Sequence, residues 1–359
     1  MIKIYQNYLI KLFLRKIILL SGIFLSLIFF LNIFEEISYF KDIDVGIYFP
    51  FLLTILNTPS TLFEIFPFIF LISSQFFFLE LIERNELEFL KVHGLNNIKI
   101  IKILSFTSIV LGIFLILMFY QISSQLKFLY FDLKNDYSKD DKYLAVVTEN
   151  GLWIKDELDE KKYVINASKI NGKYLENVSI AEFDLGYNLI QIIESEKVDV
   201  SNEKWNIFKP TISLNNSTKI LQNNIFIFTH FDLKKINSMF RNLTSLNILE
   251  LRKLKRDYED LGYSTTEITS HLNQLYSFPI YLSIMSVFSA IIMLNIKRNK
   301  PMIYHIISGV LFSVIIYYFY YLFNLLGENG KIPLMASTWL PLLLLMIFIL
   351  IGLVRINEK

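Results

Sequence analysis

The sequence predicts an α-helical membrane protein with six transmembrane helices and an inserted extracytoplasmic β-jellyroll domain. Three observations carry this reading. Six stretches are too apolar for a soluble fold, a long polar insert splits them three and three, and basic residues collect in the loops of one side. Hydrophobic residues make up 53% of the 359-residue chain and the mean hydropathy is +0.45, outside the soluble globular range. The formal net charge of +2 conceals a very unequal distribution of charge along the chain. The absence of cysteine excludes disulfides, thiolate catalysis and Cys-based metal sites, so an extracytoplasmic domain must hold together by packing alone.

The first span is expected at Ile17–Phe34, preceded by Lys3, Lys11, Arg15 and Lys16. It resembles the front of a signal peptide, but it is too long and ends in Asn32, Glu35 and Glu36, without a small-residue cleavage site. Further spans are expected at Leu62–Leu81, Ile98–Phe119, Leu275–Ile296, Met302–Leu326 and Leu334–Val354. Each is long enough to cross about 30 Å of hydrocarbon at 1.5 Å per residue. Arg84, Lys91, Lys99, Lys102, Lys297, Arg298, Lys300, Arg355 and Lys359 fall on the side of the N-terminal cations. The other side's short loops hold only Lys41 and Lys331, beside Glu35, Glu36, Asp42, Asp44 and Glu328. Both termini are therefore expected in the cytoplasm and the insert outside.

Residues 1–125 are read as spans one to three with a short cytoplasmic helix at 84–94, residues 126–245 as a periplasmic β-jellyroll-like domain, and residues 246–359 as connecting helices and spans four to six. Strands are expected at Tyr143–Val147, Tyr163–Ala167, Asn177–Phe183, Leu189–Ile193, Lys197–Val200, Lys204–Phe208 and Ile225–Thr229, a spacing that suits a sandwich or jelly roll. Ile190–Ile193 and Ile225–Phe228 are apolar on both faces. Either both faces are buried, or one packs the domain while the other meets a partner or lines a cavity. Asp132–Asp141 is the expected hinge, and Leu246–Leu261 and Thr265–Tyr276 are expected to be helical.

Catalytic motifs are missing. His93, His230, His271 and His305 have no metal-ligand spacing, and there is no HExxH, GxSxG or GxxxxGK[ST]; Gly327–Lys331 has the wrong spacing for a phosphate loop. No cofactor is expected, and any ATP has to be hydrolysed by another subunit. No acidic relay sits at mid-membrane, which argues against secondary transport. Glu64 in the second span either anchors at the interface or contacts a polar substrate group.

The most informative short element is Arg84–Gly94. Asn85 is placed to cap a helix with Glu88 completing a capping box, Glu86 and Glu88 favour its first turn, and Gly94 is placed to end it. Leu87 and Leu90 form an apolar stripe. The helix either rests on lipid or docks into a cytoplasmic partner and passes motion to the spans.

Phe66-Pro67, the Asn85-Glu86-Leu87…Gly94 helix, Gly151–Asp156 around Trp153, Leu326-Gly327 with Gly330–Pro333, and Trp339–Pro341 follow one another in an order that resembles the LptF/LptG permeases of the bacterial lipopolysaccharide exporter. The Trp153 motif is closer to LptG than to LptF. The resemblance covers nearly the whole chain. It implies a multi-pass protein of the bacterial inner membrane, paired with a sister LptF-like permease and driven by an LptB-like ATPase dimer. Such a pump extracts lipopolysaccharide and passes it through the β-domain to periplasmic bridge proteins of the LptC/LptA type; no nucleic acid is involved.

The resemblance makes Glu86 the acid that engages the ATPase, on a coupling helix that includes Leu87, Leu90 and Gly94. It also leaves Lys41 as the basic candidate for a lipid head group, although acids surround it. Passage of acyl chains, whose exposure to water costs ~0.8 kcal/mol per methylene, calls for an apolar lining, for which Ile190 and Ile227 are candidates. A membrane sensor, with a ligand-binding extracytoplasmic β-domain signalling through the short helix, is the alternative. The cytoplasmic loops are short for such an output. A lipid-modifying enzyme is disfavoured by the lack of clustered acid, base or metal-ligating residues.

Overall fold

The computed structural model describes residues 3–41, 43, 45–135, 152–158, 161–214, 217–220, 223–233, 236, 242–260, 264–295 and 303–357. Asp42, Asp44, the expected strand Tyr143–Val147, Gly151, Lys297, Arg298, Lys300 and Lys359 lie outside these residues. The chain divides into two compact units: residues 1–130, 244–252 and 265–359, and residues 131–243 and 253–264.

The first unit is helical, and two of its helices, 121–135 and 248–260, run on into the second unit. Its elements are α1 (Ile4–Tyr39), α2 (Tyr48–Glu83), α3 (Glu86–Val92) and α4 (Asn97–Phe114), which passes through a π-helical turn (Leu115–Tyr120) into α5 (Gln121–Asn135). They are followed by α6 (Ile248–Asp260), α7 (Thr266–Leu294), α8 (Ile303–Glu328) and α9 (Leu334–Asn357). Six of these helical stretches are long and apolar enough to cross a membrane, as expected. They outrun the predicted spans. α1, at 36 residues, is about 54 Å long at 1.5 Å per residue, well beyond the apolar core of a bilayer. Hydropathy marks only the part of a helix that needs lipid, so charged ends such as Lys11–Lys16 stay helical unseen.

α2 begins well before Leu62 and runs through Asn57-Thr58-Pro59-Ser60. The Thr54 and Thr58 hydroxyls donate to the carbonyls of Pro50 and Thr54 at 2.8 and 2.7 Å, which satisfies polar groups inside the helix where water is absent. α2 and α7 are the most buried spans and α8 the least. Phe63 of α2 stacks on Phe278 of α7 at 4.5 Å, and Phe13 of α1 meets Phe70 and Phe77 of α2 edge-on at 6.2 and 5.9 Å.

Small and hydroxylated residues join α4 to α7. Ser105 pairs with Ser283 and Ser108 with Ser286, both at 2.8 Å, and one turn further on Gly112 faces Pro279. A Cβ on Gly112 would stand 2.7 Å from the Pro279 Cα, so only glycine allows this approach. Each hydroxyl pair contributes about 0.6 kcal/mol in a membrane; the close backbone contact they permit contributes dispersion over a larger area.

The second unit is one antiparallel sheet: β1 (Leu152–Leu158), β2 (Lys161–Asn171), β3 (Tyr174–Phe183), β4 (Leu189–Asp199), β5 (Lys204–Phe208), β6 (Thr211–Leu214), β7 (Ser217–Ile220) and β8 (Ile225–Phe228). The expected strands Leu189–Ile193 and Lys197–Val200 are one strand, because Glu194–Glu196 alternate polar residues without breaking the ladder. β1, β6 and β7 were not anticipated as strands. β5 and β6 pair with β4 in one unbroken register, Lys197 with Phe208 and Glu194 with Thr211, so they are two halves of one strand.

The interruption between them is Lys209, held at φ 42°, and Pro210, which has no N–H to offer the ladder. Ser195 fills the gap by donating to the Phe208 carbonyl at 2.6 Å. β7 and β8 line the far side of that bent strand. β1 to β4 thus form a meander in which each pairs with the next, and the bent β5–β6 strand continues it alongside β4.

The bent sheet curls far enough that its two ends meet. The buried Asp156 carboxylate on β1 accepts from the His230 backbone N–H at 2.9 Å and lies 2.8 Å from its Nδ1, just beyond β8. Trp205, fully buried, donates from Nε1 to the Phe231 carbonyl at 2.7 Å, and around it pack Ile154, Ile165, Ile180, Ile193, Val198 and Ile207. His230 is thereby a structural residue.

Two outcomes are expected. Gly112→Val should destabilise the helical unit by about 1–3 kcal/mol through overpacking against Pro279, read as a lowered midpoint of detergent-induced unfolding. Asp156→Ala should cost about 1–3 kcal/mol by orphaning the His230 N–H, read as faster amide exchange in β1 of the full chain.

Candidate functional site

The strongest site is the α2–α3–α4 junction. α2 closes at Glu83, and Asn85 turns the chain in the left-handed region (φ 59°, ψ 13°), its N–H donating to the Ile82 carbonyl at 3.0 Å. This conformation, which Asn tolerates better than most residues, removes Asn85 from capping duty: its side chain makes no cap hydrogen bond. The expected capping box with Glu88 is therefore absent. Glu86 and Glu88 do occupy the first turn of α3, as the helix dipole favours.

The other end follows the sequence expectation closely. Gly94 has φ 82°, its N–H donates to the Lys91 carbonyl at 3.0 Å, and the Leu95 N–H donates to the Leu90 carbonyl at 3.0 Å. This is a Schellman closure, with Leu95 and Leu90 both buried as its apolar contact. Asn96 then caps α4, its Oδ1 accepting from the Lys99 N–H at 2.9 Å, while Lys99 Nζ donates to the Gly94 carbonyl at 3.1 Å. Seven residues of helix are thus held by two defined turns.

Leu87 and Leu90 form the expected apolar stripe of α3. Both are buried within the chain and seat α3 against the spans. The exposed apolar residues of α3 are Phe89 and Val92, at 62% and 85%, with His93 packed on the Phe89 ring at 4.1 Å. Phe89 and Val92 escaped notice because a period of three or four residues marks a stripe but not which stripe faces inward.

Glu86 is already engaged inside the chain. The Tyr8 hydroxyl of α1 donates to its Oε2, and the Arg84 guanidinium lies 3.9 Å from its Oε1. Arg84 also reaches Glu80 at 2.7 Å, and Glu80, largely shielded from solvent, accepts Lys16 of α1 at 2.5 Å. An unpaired carboxylate at this depth would be costly, and two cations offset that cost. Of this network the sequence marked Lys16 and Arg84 only as cations of the cytoplasmic side and Glu80 only as a charge near the end of the second span, and it did not single out Tyr8. The one available signal was that Lys16 and Glu80 stand at corresponding ends of antiparallel neighbouring spans.

The remaining candidates do not form one site. Lys41 is exposed in the turn after α1, and Glu64 is exposed on α2. Lys127 is held by the Asn57 side chain and lies over the Tyr130 ring at 5.1 Å. Tyr130 in turn donates to the buried Glu36 at 2.8 Å. In the β-unit, Ile227 packs against the hydrophobic core, whereas the half-buried Ile190 lies at a register shift outside it, so the two share no lining. Phe226 and Phe228 point outward, with Lys204 Nζ 4.5 and 5.6 Å from their rings. Among the described residues no group of three or more His, Asp or Glu is placed to hold a metal ion.

No curated protein sequence matches the chain. The family model described as "Lipopolysaccharide export system permease LptF/LptG" matches residues 7–355, which reaches into every helix and strand described above. With six apolar helices, an inserted antiparallel sheet and a match over nearly its whole length, the chain belongs to the LptF/LptG permease family.

Proposed function

We propose that this chain is the LptG-type permease subunit of an ATP-driven lipopolysaccharide exporter in the bacterial inner membrane, with both termini cytoplasmic and the β-domain periplasmic. Its sister is an LptF-like permease, its motor an LptB-like ATPase dimer, and its acceptor a periplasmic bridge of the LptC/LptA type. One observation supports the coupling role above the others: α3 is pinned at both ends and seated by Leu87 and Leu90, yet leaves Phe89 and Val92 uncovered. A pinned helix with an apolar outer face suits a peg in a socket, because the partner's motion is not absorbed by flexible turns. Glu86 and Glu88 add negative charge at its start, and Gly94 sets its end.

For the lipid, we take Lys41 and Glu64 as separate polar contacts near the membrane faces. The β-domain supplies the outward route, and Ile190 is its better lining candidate because Ile227 is committed to the core. A sensor reading gains nothing further from the geometry.

Isolation of the chain from native membranes should bring down an ATPase dimer; recovery of the chain with no ATPase overturns the proposal. Val92→Glu, Phe89→Ala and Glu86→Ala should leave membrane insertion intact and lower the co-isolated ATPase about tenfold, equivalent to about 1.4 kcal/mol of docking free energy. Ile227→Asp should unfold the β-domain, whereas Ile190→Asp should leave it folded and reduce lipid crosslinking and export. Export at the parental rate from Ile190→Asp would remove that residue from the route.

A further inference from the structure

The two turns flanking α3 connect it covalently to α2 and α4. The link between α1 and α2 lies at the far end of α1, through residues 40–47, so the end of α1 beside α3 has no direct backbone connection to it. Displacement of α3 therefore reaches α2 and α4 through the backbone and reaches α1 only through non-covalent contacts. The contacts at this end are specific. Tyr8 donates to Glu86 on α3 itself, and one turn beyond the chain reversal Lys16 pairs at 2.5 Å with Glu80, which Arg84 also holds at 2.7 Å.

Tyr8 and Lys16 lie eight residues apart, hence on one face of α1, and Glu80, Arg84 and Glu86 form the matching strip on α2, its turn and α3. Leu9, Leu12 and Phe13, which lie between Tyr8 and Lys16 in α1, are buried.

We propose that Tyr8 and Lys16 are positioning residues that make α1 a third helix driven by α3, and that Glu86 is the point where this intrachain strap and the docking face meet. The hydroxyl-to-carboxylate bond fixes the Glu86 rotamer, and charge-assisted bonds of this kind are roughly twice as strong as neutral ones. The Lys16–Glu80–Arg84 cluster prevents α1 from sliding along α2 when α3 is pushed. Exposed apolar residues continue along α1 as Ile18, Ile23, Phe30 and Phe34, so a movement carried into this helix displaces a long apolar surface. The inference rests on the coupling role proposed above for α3, and it concerns how force is distributed once delivered.

The chain has no cysteine, so two introduced cysteines are its only labelling sites, and the partners are left unlabelled by reassembly with the labelled chain. Spin labels at Lys11→Cys on α1 and Lys91→Cys on α3, in the full chain within its native assembly, report the distance between the helices without nucleotide. The parent should give one narrow distribution. Tyr8→Phe, which loses only a hydroxyl, should broaden it at least twofold, and Lys16→Met should do the same. Glu86→Gln, whose amide oxygen still accepts from Tyr8 in a weaker, neutral bond, should broaden it less than Tyr8→Phe does.

In vesicles with the co-isolated ATPase, the unlabelled Tyr8→Phe chain should raise the ATP consumed per lipid exported several-fold. A merely structural role would lower hydrolysis and export together. An unchanged distance distribution in both Tyr8→Phe and Lys16→Met overturns the strap. Absence of any ATPase from the parent assembly overturns the exporter reading, while the distance measurement still decides whether α1 is tied to α3.

Discussion

Polar groups that enter hydrocarbon must be satisfied from within the chain, and most of the helical unit follows from that constraint. Serine hydroxyls on α4 answer serine hydroxyls on α7, threonines on α2 bond back to their own helix, and Glu80 is neutralised by one cation from α1 and one from its own helix end. Each pairing is modest in energy, but an unpaired alternative in lipid is not, so the pairings select one helix arrangement among many of equal greasiness. The glycine at position 112 belongs to the same logic, because the serine pairs close only if the backbones approach that far.

The junction of α2, α3 and α4 shows how a short helix becomes mechanically useful. An isolated helix of seven residues would not hold together in water. Here the left-handed Asn85, the Schellman closure at Gly94, the Asn96 cap and two buried leucines each remove a degree of freedom. What remains on the outside is a small apolar face flanked by acids. In the β-unit a similar economy applies: a proline and a left-handed lysine bend one strand, and the bend lets a meander curl until Asp156 meets His230.

Two Asn-x-x-Glu patterns illustrate where sequence reading stops. Asn247 and Glu250 form a true capping box at the start of α6, the Asn247 Oδ1 accepting from the Glu250 N–H at 3.0 Å and Glu250 Oε2 accepting from the Asn247 N–H at 2.9 Å. Asn85 and Glu88 have the same spacing and form none. The difference is the preceding chain: Asn85 must reverse direction directly out of α2, and the left-handed conformation that achieves this points its side chain away from the N–H groups it would cap. Local pattern is the same in both places; only the tertiary path separates them.

By itself the sequence determined the membrane class, the six spans, the inserted β-domain, the short helix between spans two and three and the glycine that ends it. Each of these depends on hydropathy or on a backbone preference that a residue carries with it. The tertiary structure decided the full lengths of the helices, the bent strands, the inward turn of Leu87 and Leu90, and the engagement of Glu86 by Tyr8. Those features depend on which surfaces meet across long stretches of chain. A period of 3.6 residues has no memory of the neighbour it will face, and Tyr8 and Glu86 are brought together only by the packing of α1 against α2.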